Sequence, residues 1–129
     1  MTLEETRDFF AKDRFATYKT GITIDEVAKD YAKCSFMITD DDVAAHGSVM
    51  GGAIFTLADF CFAVSTNTKE QLTVTTSSTI NYISMPKDNE LIAESKCLKN
   101  GKKACFFEIS VKDGAGNLIA EVMTNGIHL

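Results

Sequence analysis

The chain has 129 residues, 45% hydrophobic and 24% charged, with a formal net charge of −5. That length suits one domain, read here as residues 1–129, and buries roughly two-thirds of the unfolded surface, so no disulfide or metal staple is needed. The acidic balance is set against a nucleic-acid backbone.

Other residue types narrow the classes further. Cys34, Cys61, Cys97 and Cys105 form no CxxC, and the only histidines are His46 and His128. A zinc site is not expected from that spacing, and neither is a redox cofactor. The opening Met-Thr-Leu-Glu-Glu-Thr-Arg-Asp is too charged for a secretory signal, so the expectation is a cytoplasmic protein with reduced cysteines. Cys61 and Cys105 lie in apolar runs and read as small core residues.

In chain order, residues 2–13 read as a short amphipathic helix. Thr2 caps it, Glu5 completes a capping box, and Leu3, Phe9 and Phe10 supply the apolar stripe. Gly21 breaks the chain. Ile22, Ile24 and Val27 suggest a first strand. Residues 31–39 suggest a second, with Ala32, Cys34, Phe36 and Ile38 alternating against polar neighbours. Residues 40–45 form a polar turn.

A long apolar segment follows, with Gly51 or Gly52 as helix start and Asn67 near its end. Apolar residues surround it on nearly every face, which predicts a helix buried all round. Counting only its apolar residues, it falls short of membrane-spanning length. Four strand-like runs come next, at residues 72–83, 91–99, 103–112 and 118–128. Asn100-Gly101 and Asp113-Gly114 are hairpin signals, so the strands read as consecutive hairpins of an antiparallel sheet. One apolar helix and one long antiparallel sheet satisfy each other if the sheet curls round the helix, an α+β arrangement with a short N-terminal helix.

Asp59 is the anomaly. It is the only charged residue between Gly47 and Thr68. An ionised carboxylate in apolar surroundings costs several kcal/mol unless it is paired or wetted. One reading is a structural bridge in the core. The other is a general base or nucleophile whose proton affinity is raised by partial withdrawal from water. Asp59 follows Gly51 by a little over two turns, about 12 Å along the axis, so the two do not meet within one helix. In a symmetric dimer, a second helix can supply one of them. The free amides at Gly51 and Gly52 then form an oxyanion site. Paired glycines also serve as plain turns, which is the competing reading.

Met50-Gly-Gly-Ala-Ile-Phe-Thr-Leu-Ala-Asp59 resembles the His-Gly-Gly-x-x-x-x-Leu-Ala-Asp signature of the PaaI-type hotdog thioesterases. The similarity continues through Phe60-Cys-Phe-Ala-Val64, Ser78-Thr-Ile-Asn-Tyr-Ile-Ser-Met-Pro86, Leu98-Lys-Asn-Gly-Lys102 and Asp113-Gly-Ala-Gly-Asn-Leu-Ile-Ala120. It implies a hotdog fold and hydrolysis of an acyl-CoA thioester, with coenzyme A entering only as part of the substrate.

The resemblance assigns Asp59 as catalytic carboxylate and the Gly51 amide as the group polarising the carbonyl. It puts Thr75 near the position of a water-positioning hydroxyl residue on a partner subunit. It gives the CoA moiety to Gly52, Asn81, Tyr82, Lys99, Gly101 and Lys102. It also implies a homodimer or homotetramer, because related sheets pair edge to edge. The sequence departs from the pattern twice, with Met50 for the usual His and Ala44 for a frequent Asn. His46 could take over the lost polar contact, or could simply cap a turn.

Three functions remain open on the sequence. An acyl-CoA thioesterase leads. A non-catalytic acyl-CoA binder on the same fold is the alternative. A hotdog dehydratase ranks below both, because its catalytic histidine belongs in or near the helix and here only His46 precedes it.

Overall fold

The computed structural model describes residues 1–129. The N-terminal helix α1 (Leu3–Phe10) starts at the expected cap: Thr2 accepts from the Glu5 amide and the Glu5 carboxylate accepts from the Thr2 amide. A single π-helical turn at Phe15–Lys19 follows and ends before Gly21, whose φ of 80° is a conformation glycine adopts cheaply. Strands β1 (Thr23–Ala28) and β2 (Tyr31–Met37) form a hairpin. A 3₁₀ turn at Asp40–Asp42 leads to the central helix α2 (Gly51–Thr66). Four strands complete the chain, β3 (Thr73–Tyr82), β4 (Glu90–Asn100), β5 (Ala104–Asp113) and β6 (Leu118–His128).

All six strands form one antiparallel sheet in the order β1-β2-β4-β5-β6-β3. The sheet wraps α2, as the pattern required, and this is the hotdog architecture. The expected run of consecutive hairpins holds only for β4, β5 and β6. Strand β3 does not neighbour β4: it pairs with β6 and forms an edge. The segment through Met85 and Pro86 is therefore a crossover, not a hairpin loop. The hydrogen-bonding positions beside β4 are already taken by β2, which sequence spacing cannot reveal.

Core residues come from the inward-facing alternate positions of the sheet and from α2. Phe62 and Phe107 meet edge to face at 5.5 Å, and Cys34, Cys61 and Cys105 are fully buried in the same core. Cys61 and Cys105 are core residues, as read. In both hairpins the backbone differs from a two-residue turn on Asn-Gly or Asp-Gly. Positive φ falls on Gly116 at 91°, not on Gly101 or Gly114. Asp113 organises that second loop by accepting from the Lys87, Ala115 and Asn117 amides. Those bonds hold its carboxyl down to about 2. Its stabilising contribution is present above the ordinary Asp value of about 3.9 and is lost as pH falls towards 2.

One expectation about α2 needs correcting. The helix is not buried all round. Leu57, Ala58, Cys61 and Phe62 face the sheet, but Gly52 and Asp59 are exposed and Thr56 and Ala63 are half-buried. At spacings of four, three and four residues these make one open stripe. The sheet curls round most of the helix circumference and leaves this strip uncovered. No helix in the structure is long and apolar enough to cross a membrane.

Candidate active site

The open stripe and the amino end of α2 carry the groups singled out by the sequence. Met50 caps the helix with extended backbone and offers no side-chain acceptor. The Gly51 and Gly52 amides consequently have no partner within the chain, leaving two donors at the positive end of the helix dipole. Tyr82, at the end of β3, reaches across to this turn. Its hydroxyl donates to the Gly51 carbonyl at 2.9 Å. A Cβ on residue 51 would lie 3.1 Å from the Tyr82 ring, so a side chain there would have to push the ring aside by a few tenths of an ångström. The bond also fixes the plane of the Gly51–Gly52 peptide, and with it the direction of the Gly52 N–H.

A cleft of about 390 Å³ opens beside Gly51, lined by His46, Ser48, Tyr82, Ile83 and Pro86 among others. His46 Nδ1 accepts from the Ser48 amide at 3.3 Å and caps the loop. The same residue lines the cleft, so the two readings of His46 are compatible.

Asp59 lies elsewhere. It opens into a separate cleft of about 320 Å³ with Arg14, Phe15, Thr56, Phe60 and Ala63. Of its two readings, the bridge within the core is corrected: Asp59 reaches solvent along the open stripe. Packing around its carboxyl nevertheless withdraws it partly from water, and that desolvation raises its proton affinity. Gly52 lines a third cleft of about 570 Å³, which shares Phe15 and Thr56 with the Asp59 cleft. Another hollow, about 610 Å³, is on the outer face of the sheet among Lys33, Glu94, Lys96 and Lys112 and contains none of these groups.

Other assigned residues are scattered. Thr75 is exposed on the free edge of β3, opposite Gly126 and on the helix-facing side of the sheet. Asn81 precedes Tyr82 in the strand and so points to the opposite face, away from Gly51. Lys99, Gly101 and Lys102 occupy the β4–β5 hairpin, at the far end of the sheet. That end is fixed by Thr73, whose hydroxyl donates to the Thr66 carbonyl at 2.9 Å, and by His128, whose amide donates to the Lys103 carbonyl at 2.8 Å. Gly51 and the lysines are thus separated by the length of α2, about 24 Å for its 16 residues. Within one chain His46, Gly51 and Tyr82 come together. Asp59, Thr75 and the lysine hairpin do not join them.

The π-turn was missed by sequence reasoning. Arg14, Phe15, Tyr18 and Lys19 have no helical or strand period, and only the density of aromatics and cations marked the segment.

Residues 46–120 match the model of the thioesterase superfamily. A candidate esterase of Archaeoglobus fulgidus is 29% identical over 119 residues, covering 92% of this chain and 77% of its own. The Escherichia coli PaaI protein, from the phenylacetic acid degradation operon, superposes with a TM-score of 0.86 at 20% identity, covering 99% of this chain and 96% of that one. A hypothetical thioesterase of Streptococcus pneumoniae, solved with coenzyme A, gives 0.85 at 18% identity, covering 95% and 96%. At such identities these two structures establish the fold.

Proposed function

The chain belongs to the thioesterase superfamily, and on that premise we propose that it hydrolyses an acyl-CoA thioester at a site shared between two copies. The observation that carries this reading is the division of labour along α2. Unbonded amides stand at its amino end and a carboxylate of raised proton affinity stands two turns later, in different clefts. A reacting carbonyl needs both kinds of group within about 3 Å, which one helix cannot offer.

A two-fold pairing of β3 edges removes the difficulty. The free edge presents unpaired backbone groups over 10 residues. Antiparallel pairing lays the Thr73 end of one copy against the Tyr82 end of the other. That brings the Lys99–Lys102 hairpin of one chain towards the Gly51 cleft of its mate, where cationic side chains suit CoA phosphates. In this arrangement Asp59 takes a proton from the attacking water, or attacks the carbonyl itself. The Gly51 and Gly52 amides of the second copy stabilise the oxyanion, and the CoA thiolate departs. The pneumococcal relative's association with coenzyme A supports the choice of thiol.

The test is a thiol-release assay over acetyl-, hexanoyl-, benzoyl- and palmitoyl-CoA, with wild type beside Asp59→Asn. Turnover that the substitution abolishes in a folded protein is the expected result. Tight CoA-ester binding without turnover on any member would make the chain a binder instead.

A further inference from the structure

Resting on the thioesterase reading, we propose that His128 is a positioning residue for the CoA nucleotide: through Asn100 it holds the β4–β5 hairpin in place, so that Lys99, Lys102 and Lys103 meet the phosphates. The hairpin needs such a hold. Strand β4 pairs with β2 only from Glu90 to Glu94, so residues 95–100 have β5 alone as strand partner. The register shifts between Cys97 and Lys99, which breaks the ladder just before the tip. The tip itself carries Lys99, Lys102 and Lys103, whose like charges push one another apart.

A line of side-chain hydrogen bonds supplies what the ladder lacks. His128 Nε2 lies 2.7 Å from Asn100 Oδ1, and Asn100 Nδ2 donates to the Asp30 carboxylate at 2.8 Å. The second bond fixes the orientation of the Asn100 amide, because the reverse would set its oxygen against a carboxylate oxygen. Nε2 is therefore the donor to Asn100. On the other side of the ring, Nδ1 meets the Thr73 hydroxyl at 2.7 Å, and that hydroxyl reaches the Thr66 carbonyl at the end of α2. Asp30 sits in the β1–β2 turn with a φ of 55°, a left-handed backbone that Asp adopts more readily than most residues. One imidazole thus ties the hairpin to the carboxyl end of α2, and Asn100 ties it onward to the β1–β2 turn. The His128 amide donates to the Lys103 carbonyl at 2.8 Å, which keeps the residue beside the lysines. Asn100 is exposed and His128 half-buried, so this is a surface bracket whose loss spares the core. Cations held in fixed places serve a phosphate better than cations on a loose tip, because less ordering remains to be done on binding.

The experiment compares wild type, His128→Ala, Asn100→Ala and the double variant on two substrates. One is the CoA ester turned over fastest in the thiol-release panel. The other is the matching acyl-pantetheine, which keeps the thioester and lacks the nucleotide. Each single change should raise KM for the CoA ester about fivefold, the effect expected of one hydrogen bond, with kcat unchanged and acyl-pantetheine unaffected. The double variant should be no worse than either single one, because both act through the same bond. A fall in kcat, equal effects on the two substrates, additive losses or an unchanged KM would overturn the proposal, whatever happens to the melting temperature. Calorimetry with free CoA and pantetheine separates this failure from that of the thioesterase reading. A protein that hydrolyses nothing, yet binds CoA more tightly as wild type than as either variant, keeps the bracket and loses the reading. Equal CoA affinity in all forms removes the bracket alone. A wild type that binds no CoA removes both.

Discussion

The two ends of α2 contrast. At the carboxyl end the polar side chains are engaged: Ser65 donates to the Cys61 carbonyl, Thr66 to the Phe62 carbonyl, and Asn67 joins the Ala63 carbonyl to the Thr73 amide. At the amino end two amides are free, the cap is a methionine, and three clefts open within about two turns. One helix is sealed where it supports the fold and left unsatisfied where a ligand can complete it. The difference teaches where stability and activity should separate under mutation.

The largest expected effect is on activity alone. Asp59→Asn should lower kcat by about a thousandfold in the thiol-release assay, in line with the loss of a general base. Its melting temperature should stay level or rise. Burial raises the Asp59 proton affinity, so folding penalises the ionised form. That penalty is absent below the unfolded value, grows as pH rises through the folded one, and is absent in the amide at any pH. In the wild type, the acid limb of kcat should accordingly lie above the value of an ordinary Asp.

The next substitutions probe the sealed end. A Cβ at Gly126 would come within 2.9 Å of both the Phe62 ring and the Val74 carbonyl. Gly126→Ala should cost about 3 kcal/mol in urea unfolding, the upper part of the range for overpacking. Asn67→Ala leaves the buried Thr73 amide without its acceptor, at about 2 kcal/mol by the same measurement. Neither should change the kcat of the protein that remains folded. A matching loss of kcat would break the contrast.

The smaller effects belong to the open end. Gly51→Ala pushes its methyl at the Tyr82 ring, which is half exposed and able to yield. It should reduce kcat about tenfold with little change in melting temperature, because a misplaced donor costs rate before it costs stability. Tyr82→Phe keeps the ring but drops the bond to the Gly51 carbonyl. It should lower kcat about threefold and leave KM alone, as expected for one neutral hydrogen bond acting through the peptide plane.

Much of the fold was legible because local chemistry dictated it. The Thr2–Glu5 box, the alternation of Ala32, Cys34 and Phe36, and the largely apolar run after Gly51 each specify an element by local pattern or cap alone. The candidate residues were legible for a different reason: Asp59 is a lone charge in an apolar helix, and Gly51-Gly52 is a pair without side chains at its start.

Sequence by itself thus determined the N-terminal helix, the six strands, their antiparallel pairing, the central helix and the singularity of Asp59 within it, but not the π-turn. Tertiary structure alone decided that β3 takes the edge beside β6, that one stripe of α2 stays uncovered, that Asp59 and Gly51 open into separate clefts, and that the Lys99 hairpin stands at the far end. Periodicity and capping act over a few residues, so a sequence carries them openly. Strand order and the meeting of distant side chains depend on which surfaces remain free after the others have packed, and that competition exists only in the folded chain.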